Sequence, residues 1–129
     1  MREILFRGKH KADGKWCEGN LHIDKQCVAI ITPDDTPLGC YGQVDPDTIG
    51  QYTGLTDKNG TKIFEGDIVK IRLLAAKMEW KGVCEYRNGA FGLAWQYAGE
   101  RYCTFAGTCN AEYEVLGSIH DNPELMEGE

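Results

Sequence analysis

Thiols, imidazoles and carboxylates are the side chains of this sequence that could carry out catalysis. Cys17, His22 and Asp24 lie close enough along the chain to suggest a nucleophile, a base and an orienting acid. No nucleophile elbow or family-specific cysteine signature accompanies them, and His22 shares the polar side of a predicted strand with Asp24. We therefore interpret His22 as a solvated surface histidine and predict no catalytic residue.

Carboxylates cluster in two loops that are rich in glycine and proline, at 34–35 and 45–47. Their oxygens are ligands that Mg²⁺ or Ca²⁺ accepts, but the spacing matches neither an EF-hand nor a phosphate-binding loop. The 6 cysteines contain no C-x-x-C pair, and the N-terminus lacks the apolar run of a secretory signal. We expect reduced thiols in a cytoplasm, with no metal ion and no cofactor.

Two groups of cations are the candidate contacts for nucleic acid. Arg7, Lys9 and Lys11 lie near a predicted turn, and Lys70 and Arg72 share the polar side of a predicted strand. Neighbouring aromatic rings would stack on bases beside such cations. The chain has 14 basic and 20 acidic residues, a net charge of −6, which disfavours a protein that works mainly by neutralising phosphates.

These side chains are positioned mainly by predicted β-strands. Asp13-Gly14 predicts a hairpin near the N-terminus, and Asn88-Gly89 predicts a second hairpin between alternating segments. Apolar and polar residues alternate over 67–74, 78–87 and 91–97, which is the period of strands with one buried face. Residues 32–44 predict a surface loop, and 45–65 predict a compact irregular region with short strands.

A chain of 129 residues with 42% hydrophobic residues is long enough for one domain with its own core. No segment has the helical period over a long stretch, so the fold class is mainly β and rich in loops. A small antiparallel barrel and a twisted sheet both fit this pattern. The last residues, 121–127, fit either one short helical turn or a frayed end.

The central glycines and their neighbours form a signature. The segments are Gly50–Leu55, Asp57–Gly60 and Ile63–Val69, with Met1–Ile4, Phe6, Arg7 and Trp16 before them and Glu114–Ile119 and Asn122–Leu125 after them. Together these segments resemble the YopX family of small phage and prophage proteins. The resemblance runs in order from end to end of the chain, as one domain over residues 1–129.

The resemblance implies a mostly β fold and a phage-related origin. The family has no established activity, so it supplies no catalytic residues. We interpret Gly50, Gly54, Gly60, Gly66 and Asp67 as residues that specify the fold, because glycine admits positive φ at turns and aspartate bonds nearby amides.

Two functions remain open from the sequence. The first is a non-catalytic interaction module that binds another protein or a second copy of itself through β edges or aromatic loops. The second is a nucleic-acid-associated protein of phage replication or regulation, which would use the cations named above. We expect no membrane partner, because no stretch approaches the apolar length of a membrane helix. An acidic decoy and a metal-dependent hydrolase rank below both.

Overall fold

The computed structural model describes residues 4–23, 25, 28–32, 40–96, 99–105 and 111–126. The chain divides into two compact units, Met1–Gly54 and Leu55–Glu129. The strands are β1 (Phe6–Lys9), β2 (Trp16–Ile23), β3 (Val28–Thr32), β4 (Cys40–Gln43), β5 (Gly50–Thr56), β6 (Lys62–Phe64), β7 (Asp67–Leu73), β8 (Met78–Arg87), β9 (Ala90–Gln96), β10 (Glu100–Thr104) and β11 (Ala111–Ser118). Single turns of 3-10 helix cover Pro46–Thr48 and Pro123–Met126.

The first sheet has the strand order β4-β3-β2-β1-β5-β6, and β5 carries the chain from the first unit into the second. Ala29, Ile30 and Val44 are fully buried in the first unit. A Cβ at Gly8 would lie 3.1 Å from the Val44 side chain, so a glycine in β1 lets the chain around Val44 approach closely.

The second sheet is antiparallel, in the order β10-β9-β8-β7-β11. Side chains alternate across each strand, so one face collects the apolar residues that the sequence pattern assigned to it. The core cluster of the second unit consists of Ile63 of β6 together with Val69, Ile71, Cys84 and Leu93. The opposite face carries Lys70 and Arg72 of β7, the charged residues of β8, Glu100 of β10 and Glu112 and Glu114 of β11.

The mainly β fold class is confirmed, and the sheets are not closed into a barrel. Both predicted hairpins are present, with φ of +72° at Gly14 and of +52° and +84° at Asn88 and Gly89. One expectation was wrong in part, because Cys40–Gln43 forms β4 inside the segment predicted as a loop. This strand exists through antiparallel pairing with β3, which local composition does not reveal.

The signature residues shape the turns between β5 and β7. Gly60 and Gly66 lie in these turns with φ of +83° and +87°, whereas Gly54 has φ of +88° within β5 and not at a turn, contrary to the turn interpretation. The Asp67 carboxylate is buried and accepts a hydrogen bond from the Phe64 amide at 2.8 Å. Gly50 is buried in β5 opposite Arg7 of β1.

Along the residues that the structure describes, no helix combines the length and the apolar character that crossing a membrane requires.

Candidate interaction surface

A groove of about 1140 Å³ opens in the second unit, beside the first half of β8, the end of β9 and the start of β10. Lys81, Val83 and Glu85 project into it because alternation places them opposite the buried Cys84. Val83 pairs in register with Ala94, and these two residues form an apolar part of the lining. Among the described residues, the lining consists of Met78, Glu79, Trp80, Lys81, Val83, Glu85, Ala94, Trp95, Gln96, Gly99, Glu100, Arg101 and Met126.

Two glutamates of the groove share one guanidinium. Arg87 Nη2 lies 3.0 Å from Glu85 Oε2 and also bonds Glu100 Oε1. The hydrogen bond that Arg87 donates to Glu100, with the negative charge of Glu85, raises the pKa of Arg87 above its usual range. Both carboxylates are therefore engaged in an ion-paired network across β8 and β10.

Tyr102 of β10 completes this network from the side. Its ring lies under the Arg87 guanidinium, 5.0 Å from ring centroid to Cζ, and its hydroxyl donates to the Ala90 carbonyl at 2.8 Å. The ring also crosses Gly92, where a Cβ would lie 2.8 Å from Tyr102 Cζ. Burial raises the pKa of Tyr102, so the phenol remains a neutral donor that fixes β10 against β9.

Aromatic and sulfur-bearing side chains form one end of the groove. The rings of Trp80 and Trp95 lie 5.3 Å apart between centroids and are tilted by 43°. Met78 next to them is 57% exposed, and Leu74 in the same hairpin is 47% exposed. Large apolar side chains therefore reach solvent at the β7–β8 hairpin and beside the groove.

The chain's own C-terminal turn, Pro123–Met126, lies against the groove at Lys81. Lys81 Nζ donates to the Leu125 carbonyl at 2.6 Å, and Met126 contributes to the lining. This contact joins a lysine of β8 to a segment that follows β11, so strand order and not sequence proximity creates it.

The predicted cations Lys70 and Arg72 lie among acids. Lys70 Nζ is 3.2 Å from Glu114 Oε1, and Arg72 stands in register between Glu112 of β11 and Glu79 of β8. Alternating charges on neighbouring strands lower the positive potential that a phosphate backbone would need.

Arg7 and Lys9 lie together in the first unit. Arg7 Cζ and Lys9 Nζ lie 4.3 Å and 5.3 Å from the Trp16 ring centroid, a cation–π arrangement on one face of β1 and β2. Lys11 is exposed in the turn that follows, and its amide donates to the Gln43 carbonyl. Glu18 stands in register with Arg7 and contributes a negative charge.

The structure separates the residues considered for catalysis. Cys17 and His22 project from opposite faces of β2, and the Cys17 thiol donates to the Gly8 carbonyl.

The Asp45 carboxylate, one of the candidate metal ligands, caps the 3-10 turn by accepting from the Asp47 amide at 3.0 Å. Asp24, Asp34 and Asp35 lie outside the described residues. Within the described part of the chain, no three His, Cys, Asp or Glu side chains are grouped as a metal site.

Sequence reasoning overlooked the role of Asp57, although Asp57-x-Asn59-Gly60 is a turn pattern that could have revealed it. Its carboxylate is buried and accepts from the amides of Asn59, Thr61 and Val115 at 2.8, 2.9 and 2.9 Å. Burial opposes ionisation, but these amides and the charge of Lys58 outweigh it and lower the pKa of Asp57. The residue therefore anchors the β5–β6 turn to β11.

Comparisons with known proteins agree with the signature. A family model described as YopX protein matches residues 5–127. The crystal structure of protein EF1440 from Enterococcus faecalis is similar to this chain, with a TM-score of 0.57 and 26% sequence identity. That match covers 98% of this chain and 100% of the other. None of the curated proteins compared with the chain matches it.

Proposed function

The chain belongs to the YopX family, and from that premise we propose that it is a non-catalytic interaction module that binds a segment of a protein partner in the groove beside β8. The observation that carries the proposal is the combination of apolar lining and mutually engaged charges. Val83, the largely buried Ala94 and the partly buried tryptophan pair, which also packs against the core cluster, supply the apolar part of the lining. Such areas, bordered by polar groups, are typical of protein-binding surfaces.

The chemistry of the lining supports binding over catalysis. The described residues that line the groove include no Cys, His, Ser or Thr, side chains that often serve as nucleophile or base. Glu85 and Glu100 are held by Arg87, which fixes them as ion-pair partners. Such paired rim charges orient a partner and contribute to the rate of association.

The proposed setting is the cytoplasm of a bacterium that carries a phage or prophage. The partner is a protein made there, and a second copy of this chain is one alternative. Size-exclusion chromatography with light scattering separates these two cases, because self-association gives a dimer mass with the purified chain alone.

Affinity capture with a matched pair of variants tests the proposal. Val83→Glu places a charge on the apolar lining, whereas Leu116→Glu alters an exposed apolar residue of β11 that does not line the groove. We expect a partner from lysogenic cells to be retained by the wild type and by Leu116→Glu, and to be lost from Val83→Glu. Equal retention by both variants, or no retained partner, would contradict the proposal.

Nucleic-acid binding is a second candidate, favoured by the stacking of Arg7 and Lys9 on Trp16. Cations beside an aromatic ring are a common means of holding single strands. Its signature is binding of a labelled oligonucleotide that weakens steeply between about 50 and 200 mM salt. A protein that does not shift the oligonucleotide even at low salt would exclude this candidate.

A further inference from the structure

The C-terminal turn has a firmly anchored beginning. The Asn122 amide donates to the Ser118 carbonyl at 2.7 Å, and the Ser118 hydroxyl accepts from the amides of His120 and Asp121. Packing at this point is tight, since a Cβ at Gly117 would lie 2.4 Å from Asn122 Oδ1. Residues 117–122 therefore form a defined bend after β11.

The remaining residues of the turn, Pro123–Met126, are held by fewer interactions than the bend. None of the residues Pro123–Met126 is buried. The Leu125 amide bonds the Asn122 carbonyl within the segment, and the Leu125 carbonyl accepts from Lys81 Nζ. A short segment with little buried area and few hydrogen bonds belongs to the part of a protein that opens at low free-energy cost.

We propose that the C-terminal turn is a displaceable strap that partly closes the groove in the unbound protein. The inference rests on the proposed function, because it assigns a regulatory role to the same groove. The strap occupies the Lys81 ammonium with a main-chain carbonyl and places a flexible apolar side chain, Met126, in the lining. A partner must displace it, while the anchored bend at 117–122 stays in place.

The strap also indicates what kind of segment the groove accepts. Lys81 offers a charged donor to a main-chain carbonyl, and the neighbouring lining is apolar at Val83 and Ala94. A partner segment that reproduces both contacts carries a free carbonyl followed by a large apolar side chain. While the strap lies in the groove, the partner cannot bind. The apparent affinity for the partner is therefore the intrinsic affinity multiplied by the fraction of protein in which the groove is open.

Hydrogen exchange on the full-length protein tests the strap without a partner. Lys81→Met removes the donor and keeps the apolar stem. Lys70→Met is a matched control, since Lys70 stands directly opposite Lys81 in register but bonds Glu114. We expect exchange of the Leu125 amide to accelerate about tenfold in Lys81→Met, as the loss of one charge-assisted hydrogen bond predicts, and to be unchanged in Lys70→Met.

A second pair of variants tests the same point from the strap itself. Met126→Ser should open the groove and raise the fluorescence of the apolar dye 8-anilinonaphthalene-1-sulfonate at least twofold, whereas Glu124→Ser in the same turn should not. Unchanged exchange in Lys81→Met, equal acceleration in both lysine variants, or equal dye binding by both turn variants would overturn the inference. These readouts need no partner, so a failed affinity capture would remove the proposed function and leave the strap standing.

Discussion

Removing the Asp57 carboxylate should destabilise the fold well beyond the effect of a surface mutation. The side chain accepts from three backbone amides, at 2.8, 2.9 and 2.9 Å, and ties the β5–β6 turn to β11. A hydrogen bond to a charged group contributes about 1.5–3 kcal/mol, and the two turn amides regain part of that from water when the acceptor is lost. We expect Asp57→Ala to lower the free energy of unfolding by about 3 kcal/mol, measured by urea denaturation.

Two further variants distinguish the loss of the negative charge at Asp57 from the general effect of a substitution on the free energy of unfolding. Asp57→Asn keeps one oxygen acceptor and turns a donor toward the other amide, so it should lose about half as much. Asp13→Ala is the matched control, because its carboxylate accepts one bond, from Lys15, in an exposed turn. We expect it to lose less than about 1 kcal/mol. A loss below about 1 kcal/mol for Asp57→Ala would refute the assignment of Asp57 as an anchor.

The same carboxylate gives a pH dependence with a defined sign. Its pKa in the folded protein is lowered from the ordinary value of 3.8, so its ionised form stabilises the fold above that pH. The contribution is lost as the pH falls through the folded-state value. The stability difference between the wild type and Asp57→Asn should therefore be constant near neutrality and should shrink below pH 3.8.

Three other predictions concern single sites. Gly92→Ala should cost about 3 kcal/mol in urea denaturation, since its Cβ would meet the Cys103 carbonyl oxygen of β10, and an unaltered midpoint would contradict this close approach. Lys77→Gly should raise the melting temperature by a few degrees, because Lys77 has φ of +54°, and a lower temperature would argue against strain there. If nucleic acid binds the first unit, Arg7→Ala with Lys9→Ala should reduce the salt slope by about 2, whereas Lys70→Ala should leave it unchanged.

The sequence predicted those elements whose information is local. The β8–β9 hairpin followed from Asn88-Gly89 and from alternation on both sides, and the rings of Tyr86 and Phe91 pair across it, 4.9 Å apart. Strand β4 was not predicted, because four residues within a segment of turn-forming residues acquire their conformation from pairing with β3. Local propensity predicts a strand poorly where pairing with a neighbouring strand determines the backbone conformation.

The candidate groove depended on information that the sequence alone does not contain. Lys70 and Arg72 were correctly placed on a polar face, but their acidic neighbours come from β8 and β11, whose register follows from the strand order. The contact of Lys81 in β8 with Leu125, which follows β11, also depends on the strand order, because β7 lies between β8 and β11 in the sheet. Alternation predicts which side chains share a face of one strand, whereas the strand order decides which charges meet across it.

The binding of a captured partner to three purified proteins tests the central claim most directly. Calorimetric titration of the wild type, Val83→Glu and Leu116→Glu compares a groove residue with an exposed residue elsewhere in the same unit. We expect a dissociation constant at least tenfold weaker for Val83→Glu and within twofold of the wild type for Leu116→Glu. Equal affinities for all three proteins would contradict it, because the partner would then bind outside the groove.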